Sequence, residues 1–282
     1  MKLLRIGPAD HEDVGVLGRD GVVRDVTPHV DVREPYTPDL LRRLAALDLE
    51  ALPALPTEGR RIGSPIARPG AIVCVGLNYR DHAQETGQEV PAEPILFLKL
   101  PRTVVGPQDE VLVPRGSTRT DYEVELGAVI GTRARYLPDA EAGLACVAGY
   151  VVSHDVSERE FQLERGGQWD KGKNGETFNP IGPWFVTVDE AGDPHDLDVR
   201  LWVNGDLRQQ SSTRNLIFGV GELVRYISQF MVLEPGDVIN TGTPAGVALG
   251  HPDPKPYLRP GDVVELEISG LGRQRQTVGA AR

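Results

Sequence analysis

The chain is poor in cysteine, in aromatic residues and in positive charge, and it contains no long apolar run. Its two cysteines, Cys74 and Cys146, stand far apart. They form no CxxC pair and cannot build a disulfide framework. Each lies in an apolar run, which suits a buried structural thiol in a reducing cytoplasm. No stretch approaches the ~18 apolar residues of a membrane helix. The opening Met1-Lys2-Leu3-Leu4-Arg5-Ile6-Gly7 is broken too soon to read as a secretion signal. The expectation is a soluble cytoplasmic protein with no membrane partner. Lys and Arg number 30 against 41 Asp and Glu, a formal charge of −11. Such a chain repels phosphate backbones, which argues against nucleic acid as a partner.

What is present is an ordinary globular balance, 40% hydrophobic and 25% charged over 282 residues, enough for one large domain or one large and one small. The 32 glycines and 23 prolines are spread throughout and cut the chain into short pieces, the pattern of a protein rich in strands and turns. Residues 1–35 read as a small meander, and 38–50 as a helix with Leu40, Leu41, Leu44 and Leu47 on one face. Pro53, Pro56 and Gly59 mark a linker, which places a boundary near residue 65. Beyond it, strands are expected at 72–75, 95–99, 111–113, 122–130, 149–154, 184–187, 199–203, 238–241 and 263–268, and a helix over 219–231. The reading is mostly β with a few helices.

The most informative segment is Asp121-Tyr122-Glu123-Val124-Glu125-Leu126-Gly127-Ala128-Val129-Ile130. As a strand it puts Val124, Leu126, Ala128 and Ile130 on a core face and Glu123 and Glu125 together on the other. Alone, this could be two solvated glutamates on an exposed face. A second apolar strand, Gly149 to His154, stops at Asp155. Asp155 could cap a following helix. If the two strands pair, three carboxylates meet, and three oxygen donors without a thiolate suit Mg²⁺, Mn²⁺ or Ca²⁺. His82 and Glu85 are three apart and share a face on a short helix. They form either a water-activating base held by a carboxylate or a plain surface pair. The glycine-rich Asp170-Lys171-Gly172-Lys173-Asn174-Gly175 could bring a lysine to a substrate carboxylate or enolate, or be a solvated turn. The small-residue loop Thr241-Gly242-Thr243-Pro244-Ala245-Gly246-Val247 could hold a carboxylate through its hydroxyl and N–H groups.

In this order the segments resemble the fumarylacetoacetate hydrolase family, in its acylpyruvate hydrolase and 2-hydroxyhepta-2,4-diene-1,7-dioate isomerase-like branch. The likeness covers roughly 70–270 and rests on Val75-Gly76-Leu77-Asn78-Tyr79 with His82 and Glu85, Phe97-Leu98-Lys99, Asp121 to Leu126, His154-Asp155-Val156-Ser157, Gly172-Lys173, Pro180-Ile181-Gly182-Pro183-Trp184 and Asn240 to Val247. It implies a mostly β (α+β) fold: a mixed β-roll or β-sandwich-like catalytic domain over 66–282 behind a small N-terminal α+β domain over 1–65. It further implies a homodimer and a 2-oxo acid substrate, with Mg²⁺ or a similar ion held by Glu123, Glu125 and Asp155. His82 and Glu85 match the water-activating pair. Lys173 and Gln162 match substrate-binding, enolate-stabilising positions, and Thr243 matches the holder of the substrate carboxylate. Lys99 lines the site in relatives, and Arg102, standing where a small residue is common, is with Arg80 and the Trp169 loop a candidate contact for the far end of the substrate. Cleavage of a C–C bond in a 2,4-dioxo acid is the expected reaction. Decarboxylation, hydration and enol–keto isomerisation use the same parts, and a non-catalytic metal-binding protein is the reading from another class.

Overall fold

The computed structural model describes residues 1–87 and 89–282. The apolar strands Val124–Ile130 and Val147–His154 are buried at every residue. A strand with no solvated face belongs at the centre of a sheet covered on both sides. The two pair antiparallel, Val124 opposite His154 and Gly127 opposite Val151. Val238–Asn240 lies antiparallel on the outer side of the first, and then runs parallel to Ile72–Gly76, whose other neighbour is the edge strand Ile95–Lys99. On the far side of Val147–His154 come Phe185–Thr187, Lys2–Ile6, Asp13–Leu17 and Val23–Asp25, with Ile62–Gly63 beside Lys2–Ile6. This makes a ten-stranded sheet. A second sheet of five strands is ordered Asp206–Ser212, Asp198–Val203, Val263–Ile268, Gly272–Ala280, Val111–Val113.

Period-two alternation decides what packs where. Val124, Leu126, Ala128, Ile130 and Val152 face Val199, Leu201, Val264 and Leu266 of the five-stranded sheet, in one core with Leu223, Val224 and Ile227. Val129 and Val151 point the other way, into a second core with Leu3, Val16, Leu40 and Leu44. The first 65 residues thus supply four strands to the large sheet and cover its second face. The architecture is a mostly β sandwich with mixed strand directions and short helices.

Both expected helices and some of the strands are shorter than the sequence pattern suggests, while the strand expected at 149–154 is longer, Val147–His154. The helix expected over 38–50 runs Pro38–Ala45, started by Thr37, whose hydroxyl accepts from Leu40 N–H (3.2 Å). That expected over 219–231 runs Val220–Ile227, because the chain then turns to bring Leu233 into a bridge with Ala134 and leaves Phe230 exposed. The strand expected from 122 begins at Val124. Here the Val124 N–H leaves the ladder and donates to Gln209 Oε1 (3.0 Å), while Thr120–Asp121 pairs separately with Ser157–Glu158. Among the described residues no helix is long and apolar enough to cross a membrane.

The helices Ala140–Ala145 and Val220–Ile227 cross through their glycines. A Cβ on Gly143 would stand 2.1 Å from the Gly221 carbonyl oxygen, and one on Gly221 would stand 2.2 Å from that of Ala140. Alanine at 143 gains about 1 kcal/mol of helix propensity, but overpacking against a rigid backbone costs about 1–3 kcal/mol. The clash wins, and Gly143→Ala is expected to lower the denaturant midpoint; an unchanged or higher midpoint would show that the helices separate freely.

Candidate active site

The ladder that pairs Val124 with His154 sets Glu123 and Asp155 opposite one another just beyond its end, and the Asp155 N–H donates to the Glu123 carbonyl (3.0 Å). Glu125 joins them. One carboxylate oxygen from each of Glu123, Glu125 and Asp155 lies within 4.8 Å of the others. They are 4, 2 and 0% exposed, which removes the reading of solvated surface glutamates. Asp155 does not cap a helix either; Glu158 does so, accepting from Phe161 N–H (2.6 Å).

Three acids this close and this dry need compensation. Lys173 Nζ donates to Glu123 Oε2 (2.7 Å) and Asp155 Oδ2 (2.9 Å). Lys99, equally buried, bonds Asp155 and the Val156 carbonyl. Arg159 forks between Glu123 (2.5 Å) and Asp121 (2.8 Å), and its third nitrogen holds Gln162 Oε1 (3.0 Å). Four buried carboxylates, counting Asp121, therefore face three cations. The shortfall falls on Glu125, whose hydrogen bond comes from the Gly242 N–H (2.8 Å). Burial, then the Asp155 and Glu123 charges, push the Glu125 carboxyl well above the usual carboxylate range. Burial also works against Glu123, but Arg159 and Lys173 overcome it and hold that carboxyl low. The oxygen donors and the missing positive charge fit a hard divalent cation held by Glu123, Glu125 and Asp155.

His82 sits on the helix Arg80–Thr86, lifted over the cleft by Leu77, a non-glycine residue at φ +54. A left-handed leucine is a strained joint between strand and helix. Asn78 fastens it, donating to the Thr241 (2.8 Å) and Phe218 (3.0 Å) carbonyls. His82 Nδ1 is 3.3 Å from Glu85 Oε2, and the Gly246 N–H donates to both oxygens of Glu85 (3.0 and 3.2 Å). Burial opposes ionisation of Glu85, but the His82 and Gly246 hydrogen bonds outweigh it and hold its carboxyl below the usual range. The pair is thus anchored to the main fold.

One cleft collects His82, Glu123, Glu125, Gln162, Lys173 and Thr243. Thr243 Oγ1 donates to the Val124 carbonyl (3.0 Å) and accepts from Gln209 Nε2 (2.8 Å). Lys99 is beneath the cleft rather than in its wall, bound to Asp155. Arg102 is outside it, exposed on the turn Pro101–Thr103, because the strand ends at Lys99 and the chain leaves the cleft there. Two participants carry no role in the reading of the sequence: Arg159 and Asp121. The i, i+2, i+4 run of Asp121, Glu123 and Glu125 is the available signal for Asp121; nothing local marks Arg159.

A buried three-carboxylate cluster beside an anchored His–Glu pair defines an enzyme site. Residues 71–279 match the family described as Fumarylacetoacetate (FAA) hydrolase C-terminal. A Burkholderia multivorans protein provisionally named a hydrolase is 50% identical over 100% of both chains. Among solved structures, the fumarylacetoacetate hydrolase of Exiguobacterium antarcticum is 38% identical with a TM-score of 0.85, covering 100% of both chains. The 2-hydroxyhepta-2,4-diene-1,7-dioate isomerase of Mycobacterium marinum is 32% identical with a TM-score of 0.77, over 99% of this chain and 98% of that one. The chain belongs to the fumarylacetoacetate hydrolase family.

Proposed function

We propose that the enzyme hydrolyses the C–C bond of a 2,4-dioxo acid of the acylpyruvate type, releasing pyruvate and a carboxylic acid. The observation that carries this is the His82–Glu85 pair, anchored by Gly246 and opening on the same cleft as the acidic cluster. Mg²⁺, or Mn²⁺ or Ca²⁺, held by Glu123, Glu125 and Asp155 would supply Lewis-acid polarisation of the 2-oxo acid. Thr243 and Gln162 orient the substrate. His82, held by Glu85, takes a proton from water, and the oxygen adds to the distal carbonyl. The bond between that carbon and the methylene breaks, and its electron pair passes onto the pyruvate fragment. Lys173 balances the developing negative charge, and a proton returned to the methylene carbon completes pyruvate.

An isomerase or decarboxylase would have no use for a water base, so the anchored His–Glu pair favours hydrolysis over those reactions. The family resemblance carries the homodimer reading. The direct test is pyruvate release from a panel of 2,4-dioxo acids with Mg²⁺ and with EDTA. Metal-dependent pyruvate is the expected outcome. Loss of CO₂ from oxaloacetate with no acylpyruvate cleaved would replace the hydrolase by a decarboxylase.

A further inference from the structure

Besides its polar groups the cleft is lined by apolar side chains: Leu77, Phe97, Leu163, Trp169 and Leu249. Trp169 is held in place. A Cβ on Gly76 would come within 2.5 Å of its indole, and Phe97 tilts against it with ring centroids 5.6 Å apart. The glycine lets the indole lie on the strand Ile72–Gly76 and close that end of the cleft with an uncharged surface.

The cations tell the same story. Among the described residues the cleft wall holds two, Arg159 and Lys173. Both are bound to the acidic cluster, Arg159 to Asp121 and Glu123, Lys173 to Glu123 and Asp155. A 2-oxo acid can place its one carboxylate and keto oxygen at the polar end. A second carboxylate would lie against leucine and indole, with both cations of the cleft wall already bound to the acidic cluster, which is costly.

We infer that the substrate carries a single carboxylate and an uncharged, apolar group at its far end: an alkanoyl- or aroyl-substituted pyruvate rather than a dicarboxylate. This rests on the 2-oxo acid reading above. It sets the chain apart from its Mycobacterium marinum relative, whose name specifies a dioate.

The test uses the whole protein with Mg²⁺ and a carbon-matched pair of uncleavable ligands, 2-oxohexanoate and 2-oxoadipate, with pyruvate as reference, by calorimetry. The expected result is 2-oxohexanoate binding at least about tenfold more tightly than 2-oxoadipate, the scale set by an unpaired charge in an apolar wall. Trp169→Ala should weaken 2-oxohexanoate and leave pyruvate unchanged, while Leu163→Arg, at the exposed rim, should raise affinity for 2-oxoadipate. Equal or tighter binding of 2-oxoadipate by the unmodified protein overturns the single-carboxylate inference and leaves the 2-oxo acid reading standing. If none of the three binds, both fall.

Discussion

Glu125→Gln is expected to remove Mg²⁺-dependent turnover while leaving the fold intact. Of the three clustered acids, Glu125 is the one that, among the described residues, no lysine or arginine hydrogen-bonds; its contact is the Gly242 N–H, which a glutamine oxygen can also satisfy. The same change at Glu123 would take from Arg159 and Lys173 one of the two carboxylates each holds, and at Asp155 it would disturb Lys99 and Lys173. Removing one partner of a buried pair costs about 3–5 kcal/mol, which would confuse lost chemistry with lost structure. Glu125→Gln avoids that. The loss in kcat/KM should be about 10²–10³-fold, the scale of removing one group that stabilises charge in a dry site. The rise in melting temperature on adding Mg²⁺, which follows from binding to the native state alone, should vanish with it. Thermal melts with and without the metal, alongside steady-state rates, check both. Retention of the Mg²⁺-induced rise and of full activity would remove Glu125 from the metal site.

His82→Gln should lower pyruvate release by about 10²–10⁴-fold, the range for a positioned general base. Mg²⁺ binding should be unaffected, because the helix Arg80–Thr86 lies outside the acidic cluster and is tied on by Asn78 and Gly246. The two substitutions therefore separate the parts of the site: one loses the metal, the other keeps the metal and loses water activation. Full hydrolytic activity in His82→Gln would mean that water is activated elsewhere and that the His–Glu pair is structural.

Much of this site could be read before the fold was known, and the physical reason is local periodicity. Glu123 and Glu125 are two apart beside a strand, His82 and Glu85 three apart on a helix, and Asp155 ends an apolar run; each spacing has a direction attached. Arg159 and the backbone donors were not legible in the same way. Arg159 meets Asp121 from 38 residues away, Ala248 meets Asp121 from 127, and Gly246 meets Glu85 from 161. Contacts at such separations leave no repeat in the sequence. Arg102 stands out in the sequence as an arginine where a small residue is common, yet the strand ends at Lys99 and the turn Pro101–Thr103 carries it to an exposed position outside the cleft. The strands were placed well where apolar alternation persisted, as at 263–268, and mis-started at 122, where a side chain of the opposite sheet takes the Val124 N–H.

The loop after Val238–Asn240 reaches every part of the chemistry. Gly242 holds Glu125, Gly246 holds Glu85, and the Ala248 (2.7 Å) and Leu249 (3.0 Å) N–H groups hold Asp121. Its course is stiff, since Gly246 stands at φ +105 with a would-be Cβ 1.9 Å from the Arg208 carbonyl oxygen. In mechanical terms the loop is an interlock. A displacement that frees the partner of His82 also slackens the strand end where the acids converge. One stretch of backbone thus stands behind both the His82–Glu85 pair and the acidic cluster, so a change in its course is felt at both.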